Sequence, residues 1–458
     1  MKEKASRTIG PVPRRWPVSQ ALLDNTTDME RLTESRPRGA YCAEISRKTT
    51  GGCDAATPTG KRALHVRGDA GAAALGINAK SSAPKAMARR VERFALQSVA
   101  RSILPKSRTA KCLRIRAFDC DVQVWKSKEH KTASYAGLQT CGSVWACPVC
   151  AAKIAERRRA ELLDAMDMHK AAGGSVFLLT LTTPHQRGDV LSELLGQQGK
   201  ALESFFADKS VKKVLAEMGH IGKVRALEVT HGRKGTNNGW HPHFHILLFC
   251  QINASEADRK DFAARLYLRW SAYCQKAGLG TPSYTHGIKL DDGTKASDYV
   301  TKWGLEDEMT KGHIKKAKAG GETPFDLLRA ALADKQDKQA MALFKEFAEC
   351  FKGKRQLTWS KGLKARFYLD EKTDDELANE KEDRAVLLGL LSVDEWRDVL
   401  KVDARAAVLE LAAHSGWDAV QNFLFIIKDA HAPEKLACPV TPDIVIEARE
   451  LLLGHHPG

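Results

Sequence analysis

The chain has 458 residues, and its 72 Lys and Arg residues against 56 Asp and Glu residues give a formal net charge of +16 at pH 7. This excess of positive charge favours a polyanionic partner. No apolar run reaches the roughly 18 residues that a membrane-spanning helix needs, and the basic N-terminus lacks the apolar block of a secretory signal. We therefore expect a cytoplasmic protein without a membrane partner.

Four regions follow one another along the chain. Residues 1–85 mix Gly, Ala, Ser, Thr, Pro and Arg without a sustained period and are predicted to be mostly disordered. Residues 86–172 are predicted to hold a short basic helix, a Cys-rich module and a long helix that ends at Gly173. Residues 173–370 mix strand and helix patterns, whereas residues 371–458 begin acidic and are predicted to be helical.

The Cys-rich module contains the one cluster among the eleven cysteines of the chain. An odd number of cysteines with a single cluster favours metal binding over a disulfide framework. Cys141, Cys147 and Cys150 have the spacing Cys-x5-Cys-x2-Cys, which indicates a structural zinc site. Tetrahedral zinc needs a fourth ligand, and the candidates are Cys120, which we rank first, Cys112 and His130.

The long helix that follows carries three consecutive arginines, Arg157, Arg158 and Arg159. Such a run is suited to contacts with the phosphates of DNA. The alternative is a solvated helix face on which these arginines pair with Glu156 and Glu161, and the sequence favours neither interpretation.

Three strands are predicted in the next region. SVFLLTLTT (175–183) is typical of a buried strand, and KVRALEVTH (223–231) and WHPHFHILLF (240–249) flank the turn-like loop GRKGTNNG. Helices between and after these strands indicate an α+β domain with a central antiparallel sheet and flanking helices. We expect the histidine-bearing strand in the middle of this sheet.

The histidine strand predicts a metal site. Because side chains alternate along a strand, His241, His243 and His245 share one face and lie about 7 Å apart in succession. A turn near Gly235 brings Glu228 across from them, which completes a set of two histidines and one carboxylate with positions left open for substrate. A lone histidine is more often a satisfied structural residue, and His241 is the weakest member because Pro242 delays the regular ladder.

These motifs resemble those of the HUH endonucleases. His-x-His followed by Ile-Leu-Leu-Phe matches their metal motif, and KASDYVTKWG places Tyr299 and Lys302 one helical turn apart, C-terminal to the histidines. Thr-Leu-Thr at 180–182, the CPVC element and GKRQLTWSKGL (353–363) are similar to further motifs of rolling-circle plasmid replication initiators. The resemblance covers roughly residues 110–370 and neither flank.

The resemblance implies an HUH-type, RRM-like nicking domain and a specific chemistry. Tyr299 attacks one strand of a plasmid origin, single-stranded or extruded as a hairpin, and leaves a 5′-phosphotyrosine link and a free 3′-OH primer. Lys302 favours the phenolate or stabilises charge on the phosphate. His243, His245 and Glu228, with His241, hold Mg²⁺ or Mn²⁺, and a host polymerase extends the primer.

Some features lie outside that pattern. No phosphate-binding G-x-x-x-x-G-K-[ST] loop is present, so we expect a host helicase, and the C-terminal region is a candidate for self-association as a homodimer or for a host contact. Lys295 stands where some relatives carry the glutamate that ends replication. Asp298, Glu306 or the tyrosine of a second molecule could substitute for that glutamate.

Two other functions fit the same motifs. An HUH-type transposase combines similar elements, although the position of its second tyrosine is Trp303 here. A non-catalytic, zinc-dependent DNA-binding regulator uses the histidines structurally and binds DNA without cleaving it. Tyr267, Tyr273 and Tyr284 compete with Tyr299 as nucleophile, and the first two lie in an amphipathic helix pattern that indicates packing.

Overall fold

The computed structural model describes residues 83–129, 132–234, 237–293, 321–380 and 385–429. The predicted disorder of residues 1–85 falls almost wholly outside these ranges, as do residues 430–458 of the predicted helical region. In the described part of the chain, no helix is long and apolar enough to cross a bilayer.

Helices and strands alternate along the described residues. The helices are α1 (Ala83–Ile103), α2 (Arg108–Lys111), α3 (Pro148–Ala171), α4 (Leu191–Ala207), α5 (Lys209–Glu217), α6 (Glu256–Lys276), α7 (Tyr284–Gly287), α8 (Pro324–Ala333), α9 (Lys338–Cys350), α10 (Leu363–Arg366), α11 (Asp374–Asn379), α12 (Val393–Lys401), α13 (Arg405–His414) and α14 (Trp417–Asp429). The strands are β1 (Val122–Ser127), β2 (Ala133–Ala136), β3 (Ser175–Leu181), β4 (His220–His231), β5 (Trp240–Cys250), β6 (Ile288–Asp292), β7 (Leu357–Trp359) and β8 (Ala385–Leu391).

A five-stranded antiparallel sheet in the order β6-β3-β5-β4-β7 is the larger of two sheets. The histidine strand β5 is central, between β3 and β4, and the three strands predicted from the sequence are all present. The prediction of an α+β fold with an antiparallel sheet is therefore confirmed. Helix α3 stops where expected, because Gly173 adopts a left-handed φ of +83° that only glycine tolerates readily.

The two faces of this sheet separate as the alternation of β5 predicts. Phe244, Ile246 and Leu248 enter a large apolar core with residues of α4, α6, α8 and α9. Leu247 and Phe249 lie on the opposite face, in a smaller core under α3 and α10. The histidines share this second face, beyond the apolar half of the strand.

A second sheet in the order β2-β1-β8 joins the two ends of the described chain. Leu391 pairs with Val122, and a common core unites residues of α1, such as Phe94, with Trp396 of α12 and Val408 of α13. We call this sheet and helices α1, α2, α12, α13 and α14 the terminal module. The described parts of residues 86–172 and 371–429, which belong to two regions predicted as separate, thus pack together.

Strand β8 corrects the prediction of an all-helical region after residue 371. AVLLGLL is a short apolar run, and periodicity cannot distinguish a buried strand from a helix in such a run. Pairing with the buried residues of β1 decides in favour of a strand. Gly389 also fits this position because a Cβ there would lie 2.0 Å from Cε2 of Trp417.

Candidate metal centres and relatives

Glu228, His243 and His245 converge on one face of the central sheet. Glu228 lies directly opposite His243 in the β4–β5 ladder, and Ala226 lies opposite His245. The Nε2 atoms of His243 and His245 are 3.3 and 3.7 Å from Oε2 of Glu228, and the three ligand atoms all lie within 4.8 Å of one another. The carboxylate and the two imidazoles can therefore hold one divalent cation, which supports the predicted set.

Hydrogen bonds orient both imidazoles of this triad. Nδ1 of His243 is 3.3 Å from the carbonyl oxygen of His241, and Nδ1 of His245 is 3.0 Å from Oγ1 of Thr180 on β3. Both contacts occupy Nδ1 and leave Nε2 directed at Glu228. Partners of this kind fix the tautomer and ring orientation of metal-binding histidines. Thr180 belongs to the Thr-Leu-Thr motif of the sequence, but its contact with His245 depends on strand register.

Charge and burial act against each other within the triad. Burial opposes ionisation of Glu228, but the hydrogen bond from His243 and the charges of both histidines hold the pKa of its carboxyl below the usual value. Burial also disfavours the imidazolium of His243, yet Glu228 keeps the pKa of His243 above its ordinary value. Burial lowers the pKa of His245. A carboxylate ready to accept a cation and a neutral imidazole are the forms that bind metal.

His241 is not part of this convergent group. Its ring stacks on His185 with centroids 4.4 Å apart and an interplanar angle of 10°, and Nε2 of His185 is 2.9 Å from Nδ2 of Asn238. The centroid of His241 is 5.0 Å from that of His243. The predicted fourth metal ligand is thus an imidazole beside the triad, held by a residue that the sequence analysis did not single out.

Four cysteines form the second candidate centre. The Sγ atoms of Cys112, Cys141, Cys147 and Cys150 lie within 4.8 Å of one another, and all four residues are buried. Cys112 therefore occupies the fourth position, which corrects our ranking of Cys120. Cys120 precedes β1 and is half buried, and His130 lies outside the described residues. Spacing names Cys112 as a candidate but cannot choose it over Cys120, because the loop that returns Cys112 to the other three thiols closes only in the folded chain.

The donor set of this centre suits a thiophilic cation. Crowding by the other three thiols, together with burial, holds the pKa of Cys112 far above its ordinary value. Four thiols in such surroundings ionise together only if a cation offsets their charge. Nε2 of Gln97 lies 3.1 Å from Sγ of Cys147 and can donate to a thiolate there. Four sulfur ligands are the set that structural zinc prefers.

Comparison with known proteins gives the chain a family. Residues 135–399, more than half of its length, match the family described as "Replication protein". The chain belongs to the replication protein family. The predicted resemblance to plasmid replication initiators is thereby confirmed.

Individual relatives match over shorter stretches. "Protein rep" of Streptomyces lividans is 26% identical over 306 residues, which cover 52% of this chain and 66% of the relative. "Protein rep" of Lentilactobacillus hilgardii is 32% identical over 105 residues, or 22% of this chain and 31% of the relative. A "Neomycin resistance protein" of Streptomyces cyanogenus is 31% identical over 136 residues, or 24% and 30%. No solved structure matches the chain significantly.

The arginine run of this replication protein family member is engaged in ion pairs. Arg157 pairs with Glu380 at 3.0 Å, Arg158 with Glu161 at 3.0 Å, and Arg159 with Glu156. The pairs with Glu161 and Glu156 are the ones predicted for the alternative in which the arginines lie on a solvated helix face. Arg158 and Arg159 also line a cleft of about 20 Å³ that Glu228 borders. Arg157 therefore joins α3 to the end of α11, whereas the pairs with Glu161 and Glu156 lie within α3. DNA contact by these arginines stays a prediction.

Tyr299 and Lys302 lie outside the described residues, as do Lys295, Asp298 and Glu306. The described chain on either side of this segment is attached to the central sheet. It leaves at the end of β6, where Asp292 pairs with Phe177, and returns at Glu322, which forms a bridge with His231 at the end of β4. Arg233 reinforces the return through contacts of 2.8 and 2.9 Å with the carboxylate of Glu322.

Proposed function

We propose that this protein initiates plasmid rolling-circle replication by nicking one DNA strand with Tyr299 as nucleophile. The convergence of Glu228, His243 and His245 on one face of the central sheet carries this proposal. Family membership supports a role in replication, and the triad supplies the chemistry that strand cleavage requires.

The triad is partly accessible to solvent. The side chains of His243 and His245 are each 13% exposed and that of Glu228 is 34% exposed. Three ligands with further positions free are typical of a catalytic rather than a structural centre. Mg²⁺ or Mn²⁺ bound there would polarise a non-bridging oxygen of the scissile phosphate.

The chain can carry Tyr299 to the triad. Asp292 is opposite Phe177 on β3, whereas His245 is opposite Thr180, three residues away on that strand or roughly 10 Å. Tyr299 is the seventh residue after Asp292, and an extended chain of seven residue steps reaches roughly 23 Å. A chain of this length is therefore long enough to bring Tyr299 to the triad.

The chemical step is an in-line substitution at phosphorus. The phenolic oxygen of Tyr299 forms a bond to the phosphorus atom, and the bond from phosphorus to the 3′ oxygen breaks. The proton of the phenol leaves as the bond forms, and the departing 3′ oxygen takes up a proton to become the primer hydroxyl. Lys302, one helical turn from Tyr299 in the predicted helix, favours the phenolate by its charge.

Other tyrosines of the described chain support this choice through their contacts. The hydroxyl of Tyr267 donates to the carbonyl of Pro282 at 2.8 Å, and that of Tyr273 donates to Asp208 at 2.8 Å. The hydroxyl of Tyr135 donates to the carbonyl of Arg405 at 2.8 Å. These three phenols serve packing and capping. Tyr284 and Tyr368 are 48% and 82% exposed and are the described competitors that an experiment must exclude.

The four-cysteine centre has a structural part in this proposal. We assign it to Zn²⁺, with Cys112, Cys141, Cys147 and Cys150 as ligands. The buried set leaves no position open for substrate, which is typical of structural zinc sites.

The test is covalent capture of single-stranded DNA. Oligonucleotides that tile both strands of the replicon encoding the protein are incubated with Mn²⁺, and denaturing electrophoresis detects a protein–DNA adduct. We expect an adduct with the wild-type protein and with Tyr284→Phe, and none with Tyr299→Phe. Glu228→Gln should lower adduct formation at limiting Mn²⁺.

Two outcomes would contradict the proposal. An adduct that persists in Tyr299→Phe would move the nucleophile to another tyrosine. Site-specific binding without an adduct on any strand, and without a need for Mn²⁺, would instead favour a non-catalytic regulator.

A further inference from the structure

A basic groove lies on the terminal module, between the end of α1, helix α2 and helix α12. Its volume is about 530 Å³. Five of the nine described residues that line it are Arg or Lys, namely Arg101, Lys111, Arg114, Arg397 and Lys401, and none of the nine is acidic.

The charges of this groove are accessible to a partner. Arg101 and Lys111 are exposed, and the side chains of Arg397 and Lys401 are 67% and 73% exposed. Arg397 pairs with Asp394 and Lys401 with Asp398, each three residues earlier on α12. Ion pairs so exposed are weak, so an incoming phosphate can compete for these cations.

The base of the groove is fixed by the surrounding fold. Ser107 caps the N-terminus of the short helix α2, and Cys112 of the four-cysteine centre is its C-cap residue. Two residues later, Arg114 is 10% exposed and pairs with Asp403 at 3.1 Å. The backbone that carries Lys111 is therefore held between a candidate metal ligand and a partly buried ion pair, which limits the entropy lost on binding.

We propose that this groove binds the sugar–phosphate backbone of duplex DNA, at a site separate from the Glu228, His243 and His245 triad. Exposed cations on three helices suit the evenly charged backbone. Proteins that bind unpaired strands stack bases on aromatic side chains, and none of the described lining residues is aromatic. The inference rests on the proposed function only in taking DNA as the partner.

Fluorescence anisotropy with a short mixed-sequence duplex tests this inference on the full chain, without added divalent cation. The groove variant is Arg101→Ala/Lys111→Ala/Arg397→Ala/Lys401→Ala. Because each lost phosphate contact lowers the slope of log affinity against log salt by about 0.9, the slope should fall by about three to four. At ~0.1 M salt the affinity should fall roughly 100-fold or more. Arg397→Ala/Lys401→Ala should give about half of the change in slope.

The matched control removes the same charge elsewhere. Lys200, Lys209, Lys212 and Lys213 are exposed on α4 and α5, and none lines the groove. Their fourfold Ala variant should bind the duplex with nearly the wild-type slope. Equal losses in both variants, or no loss in the groove variant, would overturn the inference. The inference would also be overturned if the groove variant lost affinity for a single-stranded probe but kept its affinity for the duplex.

The adduct assay separates this inference from the proposed function. If the wild-type protein forms the Tyr299 adduct but the groove variant binds the duplex normally, the proposed function stands and the groove inference is wrong. If the groove variant loses duplex affinity but the wild-type protein forms no adduct on any strand, the groove inference stands and the proposed nicking function is wrong.

Discussion

Glu228 and His243 are directly opposed across the β4–β5 ladder, and Oε2 of Glu228 lies 3.3 Å from Nε2 of His243. A shift of one residue in this register would turn the carboxylate to the opposite face of the sheet. The hairpin register is therefore what places an anionic ligand beside the two imidazoles, and the metal centre depends on it.

Removing the charge of Glu228 should weaken metal binding. Glu228→Gln keeps the side-chain shape but replaces an anionic oxygen by an amide, a poorer ligand for Mg²⁺ or Mn²⁺. We expect the Mn²⁺ affinity, measured by isothermal titration calorimetry, to fall at least about tenfold. Glu203→Gln, on the exposed part of α4, is the charge-matched control and should leave the affinity unchanged. Equal affinities for wild type and Glu228→Gln would exclude Glu228 as a ligand.

The contact between Thr180 and His245 should tune the same centre. Thr180→Val removes the hydroxyl that lies 3.0 Å from Nδ1 of His245 while keeping the branched shape of the side chain. Loss of such an orienting partner typically costs about 10- to 100-fold in metal affinity. Thr180→Ser restores the hydroxyl and should recover most of the affinity. A Val variant that binds Mn²⁺ as the wild type does would show that strand geometry alone orients His245.

Metal analysis can distinguish Cys112 from Cys120 as the fourth zinc ligand. The four-cysteine geometry predicts one tightly bound zinc per chain, which inductively coupled plasma mass spectrometry measures on the purified protein. Cys112→Ser should lose that zinc and unfold at a lower temperature, because metal binding contributes directly to folding at such sites. Cys120→Ser should keep the zinc. The reverse result would restore the ranking made from the sequence.

Asp208 should make the central domain sensitive to acid. It caps α5 through the backbone N–H groups of Ser210 and Val211, and it accepts hydrogen bonds from Arg269 and Tyr273. Burial opposes its ionisation, but the hydrogen bonds from Arg269 and Tyr273 hold the pKa of Asp208 well below its ordinary value. Because the pKa is lower in the folded state, this stabilisation is present above about pH 4 and is lost as the pH falls further.

The corresponding variant is Asp208→Asn, which keeps a capping side chain without the charge. At about pH 7 we expect the free energy of unfolding to fall by roughly 1–3 kcal/mol, with a smaller difference from wild type at about pH 3. Urea denaturation at both pH values measures this. Asp261→Asn, whose carboxylate is 64% exposed, should change the stability by less than about 0.5 kcal/mol. A difference that does not depend on pH would assign the effect to packing rather than to charge.

Much of the central sheet follows from the sequence because its determinants are local. Alternation along WHPHFHILLF fixes which residues share a face, whatever the partner strand is. The turn-like loop at 232–239 sets which residues of β4 and β5 can oppose each other, so the sequence alone predicts that Glu228 lies opposite the histidines. Three of the four clustered cysteines also lie within ten residues of sequence, from Cys141 to Cys150.

Tertiary structure decided the features that depend on contacts between distant residues. Cys112 joins Cys150 across a separation of 38 residues, and β8 pairs with β1 although more than 250 residues lie between them. The ion pair between Arg157 and Glu380 and the stacking of His241 on His185 likewise join residues that are distant in sequence. From the sequence alone, the short apolar run of β8 could pack in several ways, and either Cys120 or Cys112 could complete the cysteine cluster. Only the closing of these long loops, when apolar surface is buried in the folded chain, selects one partner for each.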